Sequence, residues 1–338
     1  MIKYLGSKRA LLPWILEQIE KCADGERLHV LDLFSGTSRV GYALKAAGHR
    51  VTANDWNEYA AVLARCYVQA DVGRAAEAET LLQELATLPG RAGYFTETFC
   101  EQARFFQPHN GARVDAIRDQ IAAWRCDEEL EAILLTSLME AADRVDSTTG
   151  VQMAYLKEWA PRSHAELELR MPQLLARPEA GPCQALHGDA LAVASTPADL
   201  VYLDPPYNQH KYEGNYHVWE TLVRWDAPEH YGVACKRVDV RERRSPFNSK
   251  PGIAAAMQAV VDALDTRWIL VSFSDEGFLG REELEAMLSR RGQVTVHEHA
   301  HKRYVGAQIG IHNPAGEKVG TVSHTRNREY LFVTEVTR

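Results

Sequence analysis

Between residues 28 and 57 the chain runs from an apolar stretch, LHVLDLF, through the small turn Ser35-Gly36-Thr37 and into a helix-spaced segment. A second apolar stretch, RVTAN, then leads to Asp55 and Trp56. Apolar runs of this length, bounded by turn residues, suit buried strands. Val40, Leu44 and Ala47 fall on one side of the intervening helix, and Gly48 stops it. Strand, turn, helix, strand in so short a space is the opening of a doubly wound α/β sheet, because parallel neighbours need a crossover between them. A further helix is expected over 59–68.

From about residue 69 the pattern changes. Charged, alanine-rich helical segments appear at 76–88 and 127–142, with an aromatic loop holding Tyr94, Phe99, Phe105 and Phe106 between them, and a polar stretch over 143–150. The expected organisation is a sheet domain built from 1–68 and 183–338, interrupted by a helical insertion over 69–182. Strands are expected again at 183–187 and 200–203, then at 268–273, 293–299 and 329–334, with helices at 253–264 and 281–290. The polar, aromatic-rich segment 208–250 should begin as a mobile loop over 208–216. No repeat or low-complexity tract interrupts the pattern.

Composition narrows the function classes. The 338 residues are 46% apolar and 25% charged, as in ordinary globular proteins, and no apolar run approaches membrane-spanning length. The first ten residues lack the apolar core of a signal peptide. Cys22, Cys66, Cys100, Cys126, Cys183 and Cys235 are scattered without a CxxC pair, which suits reduced thiols in a cytoplasmic protein and no zinc site. His210 and His217 lack companions at ligand spacing, so no metal is expected. A net charge of −8 counts against a nucleic-acid partner, but residues 236–250 hold six basic and two acidic residues. Lys236, Arg237, Arg241, Arg243, Arg244 and the Lys302-Arg303 cluster can carry phosphate contacts, as can Lys211 with Tyr212; solvated loops would read the same way.

The chemistry concentrates at Asp204-Pro205-Pro206-Tyr207, directly after the apolar strand 200–203. Neither proline offers an N–H to a neighbour, so the backbone is stiff where a sheet edge would bind a ligand. The N6 lone pair of adenine is delocalised into its ring. A carboxylate (Asp204) and a carbonyl (Pro205) accepting its hydrogens would localise that pair and aim it at an electrophile. Tyr207 could stack on the base, and in duplex DNA the base must flip out first. An ordinary strand-ending turn is the plainer alternative. Asp32-Leu33-Phe34-Ser35-Gly36 is a glycine turn, and Asp55 follows at the offset of a ribose-binding acid. The glycines do not match a pyrophosphate fingerprint, and Asp32 suits a cationic ligand with an amino group, such as the methionine part of S-adenosylmethionine. Tyr4, Gly6 and Lys8 lie in a short basic segment that could reach the same ligand, with Lys8 alternatively steadying nearby acids. Gly188-Asp189 could face its adenine. Trp56, Tyr94, Phe105 and Phe106 read either as a stacking platform or as core.

Taken in order, Lys3-Tyr4-Leu5-Gly6-Ser7-Lys8, Asp32 to Gly36, Asp55, Asp204 to Tyr207 and the terminal strand after Asn327 make the chain resemble the D12 class of N6-adenine DNA methyltransferases, the DNA adenine methylase family. Ser147 to Gly150, Leu156-Lys157 and Asn208 to Glu220 look like the branch found in type IIS restriction–modification systems. The resemblance implies a Rossmann-like methyltransferase with a mostly parallel seven-stranded sheet. It also implies methyl transfer from S-adenosylmethionine to a flipped adenine in duplex DNA, with RNA adenine or cytosine N4 as the alternative target. Tyr4, Lys8, Asp55 and Asp204 would take cofactor-contact positions, and the insertion before residue 204 would read the target. A cognate endonuclease and a nucleoid-associated location follow from the same reading. Ser35 stands where many members have a second glycine.

Overall fold

The computed structural model describes residues 1–302, 311–312, 318–320 and 326–337. Its strands are β1 (His29–Asp32), β2 (Arg50–Asp55), β3 (Gln184–His187), β4 (Leu200–Leu203), β5 (His230–Tyr231), β6 (Lys236–Arg237), β7 (Trp268–Ser274), β8 (Gly292–Lys302), β9 (Ile311–His312), β10 (Lys318–Gly320) and β11 (Arg326–Val336). The apolar runs of the sequence sit side by side: β1 pairs in parallel with β2 on one flank and β4 on the other, with Val30 opposite both Val51 and Leu200. The main sheet has the order β3-β2-β1-β4-β7-β11-β8. Its first five strands are parallel, whereas β11 runs antiparallel to both β7 and β8. Strand addition reverses direction between β1 and β4, so the carboxyl ends of those two strands frame the crevice where such sheets bind ligands.

Helices α1 (Leu12–Ala23), α2 (Arg39–Ala46) and α3 (Glu58–Ala64) come early. The long helices α4 (Ala75–Thr87), α6 (Pro108–Trp124) and α7 (Glu128–Arg144), with the short α5 (Tyr94–Thr96), fill the middle of the chain. Then follow α8 (Ala190–Val193), α9 (Tyr212–Asn215), α10 (His217–Arg224), α11 (Ile253–Ala263) and α12 (Arg281–Ser289). Alternation along the strands divides the core. Val30 and Leu200 meet Ile15, Ile19, Val40 and Leu44 of α1 and α2 on one face. Leu31, Val201 and Val271 meet Met257, Val261 and Leu288 of α11 and α12 on the other.

The helices of 69–182 share their core with other parts of the chain. Phe95, Phe99, Ile117 and Leu134 pack with Tyr59 and Leu63 of α3 and with Trp219 and Leu222 of α10. Arg118, buried in α6, donates to the carbonyls of Leu222 (2.9 Å) and Val223 (3.0 Å) near the end of α10, a cation on orphan helix carbonyls. Asp115 accepts from the amides of Gly93, Phe95 and Thr96 and so caps the start of α5.

One expectation is corrected here. The expected loop is confined to residues 208–211, which are irregular and mostly exposed; α9 follows, and Glu213, Gly214, Asn215 and Tyr216 are buried. The segment is held from two sides, because Leu5 N donates to Tyr216 Oη (2.6 Å) and Gln152 N donates to Asn215 O (2.7 Å).

Candidate active site

The carboxyl ends of β1, β2, β3 and β4 open onto a cleft of ≈ 920 Å³, part of it open to solvent. On the β1 side the chain turns sharply. Ser38 N donates to Ser35 O (2.7 Å), and Gly36 takes φ 52°, a conformation that suits glycine. A Cβ on Gly36 would also stand 3.2 Å from the Tyr4 ring. The turn is fixed to its neighbours. Ser35 N donates to Asn54 O (2.9 Å), Gly36 N donates to Asp55 Oδ2 (2.9 Å), and Asn54 Nδ2 bridges the carbonyls of Leu33 and Gly188, both at 3.1 Å. The acid that the spacing singled out, Asp55, thus closes the turn that Gly36 opens. Its second oxygen accepts from Asn57 N (2.9 Å).

Asp32 ends β1 fully inside this wall, 1% exposed. Neither of its oxygens completes a hydrogen bond among the described residues. Burial pushes its carboxyl up to about 8, Asp204 adds to the rise, and the nearby Gly41 amide offsets only part of it. Burial also raises Asp55, against the amides of Asn57 and Gly36. Among the described residues, Ser7, Ser35, Asn54 and Asn57 likewise keep a buried side-chain oxygen without a partner, and all of them line the cleft.

Asp204 follows β4 on the facing side. Lys8 Nζ lies 3.0 Å from Asp204 Oδ1 and 3.8 Å from Glu329 of β11. Burial raises the Asp204 carboxyl and Lys8 draws it back, with the net direction upward. Burial alone would lower the Lys8 ammonium, but Asp204 and Glu329 more than reverse that, so Lys8 stays protonated. Pro206 lines the cleft, while Pro205 is buried behind it. Tyr207 is not among the lining residues. Its ring packs on Phe273 (5.3 Å) and beneath Lys8 Nζ (5.9 Å). Tyr212, read as a possible DNA contact, lines the cleft instead and stacks on Tyr4 (5.2 Å), which stacks on Tyr216 (4.7 Å).

Tyr4, Gly6, Lys8, Asp32, Phe34, Ser35, Gly36, Asp55, Trp56, Gly188, Asp189 and Asp204 are thus brought to one cleft, from segments far apart in sequence. The basic residues divide. Lys211, Arg241 and Arg244 are exposed, Lys236 is half-buried, and Arg241 lies over the Tyr231 ring (3.7 Å). Arg237 is corrected: at 2% exposure it is locked to Asp226 (2.7 Å) and Asp239 (3.0 Å), so its charge is spent inside the chain. Arg243 also turns inward, to Glu220 (3.0 Å) and the Trp56 carbonyl (2.8 Å). Lys302 ends β8, and Arg303 lies outside the described residues. Phe105 and Phe106 are core, and Tyr94 bonds Pro228 O (2.5 Å), leaving Trp56 alone of the suggested platform at the cleft.

His217 is buried against Gln152 O (3.0 Å), and burial pushes it down to about 3. No cluster of His, Cys, Asp or Glu among the described residues could hold a metal, and no described helix is long and apolar enough to cross a membrane. Sequence reasoning passed over Asn54, Asn57, Phe247 and Asn248, all at the cleft. Adjacency to Asp55 was the available signal for the first two; Phe247 and Asn248 were hidden in a stretch read only for its charge.

Residues 4–287 match the family model of the D12 class N6 adenine-specific DNA methyltransferases. The type II methyltransferase M.NlaIII of Neisseria lactamica is 30% identical over 351 residues, covering 99% of this chain and 100% of the relative. The modification methylase StsI of Streptococcus sanguinis is 30% identical over 91% of this chain, and the type II methyltransferase M.FokI of Planomicrobium okeanokoites is 30% identical over 86%. The chain spans 50% and 47% of those two longer proteins. Family match, full-length likeness and a cleft with an acid at the end of each facing strand agree: the chain belongs to the D12 class N6 adenine-specific DNA methyltransferases.

Proposed function

We propose that the protein transfers a methyl group from S-adenosylmethionine to N6 of an adenine rotated out of duplex DNA, as the modification enzyme of a type II restriction–modification system with a cognate endonuclease. The reading places it at the nucleoid. The observation that carries it is the pairing of acids across one cleft: Asp32 without a described cation partner, Asp204 with Lys8 beside it. The donor fits the residues present. A buried carboxylate lacking a counter-charge suits the ammonium of a methionine, and the unpartnered oxygens of Ser7, Ser35 and Asn57 suit the polar groups of a nucleoside.

When bound, the donor supplies an electrophilic methyl on a cationic sulfur. The chain's residues do the rest. Asp32 takes the ammonium, and Asp55, held by Gly36 and Asn57, accepts from the ribose hydroxyls. Tyr4, Gly6, Phe34, Trp56, Gly188 and Asp189 enclose the remainder. Asp204 and the Pro205 carbonyl accept the two N6 hydrogens and aim the lone pair; Asp204 takes the proton that N6 sheds as its bond to carbon forms. Lys8, 3.0 Å away, draws the Asp204 carboxyl back toward its ionised form. Stacking of Tyr207 on the base, worth roughly 1–3 kcal/mol, requires its ring to turn from Phe273 toward the cleft. Lys211, Lys236, Arg241 and Arg244 hold phosphates, and the helices of 69–182 read the target.

Incubation with methyl-labelled donor and mixed-sequence duplex DNA, followed by digestion to nucleosides, tests this. The label should appear in N6-methyladenine. Label in N4-methylcytosine, in RNA alone or in protein would sink the assignment.

A further inference from the structure

Segment 241–248 spans the cleft. At one end Arg243 is bound to the wall that follows β2. Its guanidinium covers the Trp56 ring (4.8 Å), Nη2 donates to Trp56 O (2.8 Å), and Nη1 donates to Glu220 Oε1 (3.0 Å). Glu220 is itself buried, with its other oxygen accepting from Tyr59 N (3.2 Å) in the first turn of α3. The same Trp56 carbonyl lies 3.1 Å from His187 Nε2, and His187 Nδ1 is 2.8 Å from Glu58. At the other end Asn248 Nδ2 donates to Asn208 O (2.8 Å) and His210 O (3.0 Å), just after Tyr207. Between these anchors Ser245, Phe247 and Asn248 line the cleft, and Phe247 meets Phe34 edge-on at 5.1 Å.

We propose that Arg243 is a positioning residue for the methyl donor: through Trp56 and Glu220 it ties segment 241–248 to the Asp55 wall and so shapes the half of the cleft that binds the donor. The inference rests on the donor named above. It removes Arg243 from the phosphate-binding set, because both ends of its guanidinium are engaged within the chain. A planar fork that stacks and bonds at once is work that lysine cannot copy. Holding Trp56 acts before chemistry, so the effect falls on donor affinity and leaves the transfer step nearly untouched.

Calorimetric titration of S-adenosylhomocysteine into the full chain, without DNA, is compared for wild type, Arg243→Gln and Arg243→Lys. Folding of each variant is checked by melting. Arg243→Gln should weaken binding about tenfold and raise the donor KM in parallel, with kcat at saturating donor changed by less than about threefold. Arg243→Lys should fall between the two. The slope of log DNA affinity against log salt should match wild type in both. A phosphate-binding Arg243 would instead lower that slope by about one in Arg243→Gln and leave S-adenosylhomocysteine binding unchanged, and either result overturns the proposal. Should Arg243→Gln fail to fold, Arg243→Lys carries the test, because it keeps the charge but loses the fork. Wild type that does not bind S-adenosylhomocysteine would overturn the donor assignment itself, before Arg243 is at issue.

Discussion

The ends of β1 and β4 are adjacent and both acidic, Asp32 fully buried and Asp204 partly so, yet they are built in opposite ways. Asp32 has no described cation beside it, and burial holds its carboxyl near 8. Asp204 has Lys8 at 3.0 Å, with Glu329 behind the lysine on β11. A buried acid without a counter-charge suits a cationic ligand; an acid with its own cation is drawn toward the ionised form and suits a neutral one. The cleft thus separates a wall that waits for charge from a wall that supplies it. That division matches a cationic methyl donor on one side and an uncharged base on the other.

Removing the acid at β4 should do the most damage. Asp204→Ala is expected to lower kcat by about 10²–10³-fold, the scale of losing one preorganised acceptor at the reacting atom, while donor affinity changes only a few-fold. Single-turnover transfer beside calorimetric donor binding checks this, and near-normal turnover would contradict the role.

Asp32→Asn should act on the other axis. Donor affinity is expected to drop about 10–100-fold, as for a lost charge-assisted hydrogen bond, with kcat at saturation little changed. Protons report the same residue. Below about 8 wild-type Asp32 holds a proton, and an arriving ammonium expels it, so binding heat at neutral pH should vary with the ionisation enthalpy of the buffer. The variant should show no such dependence. Stability carries the matching sign. The folded carboxyl is raised above an unfolded value of roughly 4, so its contribution is complete below that pH and is lost as pH rises through about 8. Melting from pH 4 to 8 should therefore fall more steeply in wild type than in Asp32→Asn.

How much of this was legible depends on the distance over which the signal acts. The β1 turn and Asp55 could be read because strand, glycine turn and acid follow one another locally, and the Gly36–Asp55 bond closes that unit. The strand and rigid prolines around Asp204 were legible for the same reason. Lys8 was assigned two roles from sequence, and only the fold could place it on Asp204, far along the chain. Helix α6 escaped because Asn110, Asp115 and Arg118 are buried beside Ile117 and Ile121, which erases the apolar stripe that marks a helix. Helix α1 carries Ile15, Ile19 and Cys22 at helical spacing with Pro13 in its first turn, so it was open to reading. The basic run 236–250 misled most. Charge in a sequence does not reveal whether a partner waits inside, and Arg237 and Arg243 both found carboxylates there.

The sharpest test of the contrast between the two acids is to make Asp204 lose its cation. Lys8→Met keeps the bulk of the side chain and removes the charge, leaving Asp204 buried with nothing to oppose the upward pull on its pKa. Less of it is then ionised at neutral pH, and a protonated carboxyl cannot accept the N6 hydrogen. The acid limb of the kcat profile should therefore move to higher pH, with a loss at neutral pH that is recovered on going alkaline. Donor affinity should hold, since Asp32 is untouched. A loss equal at every pH would mean that Lys8 serves only packing, and that the two acids differ less than their surroundings suggest. Recovery in base would show that the lysine's task is to keep one of two neighbouring carboxylates charged while the other stays neutral until the donor arrives.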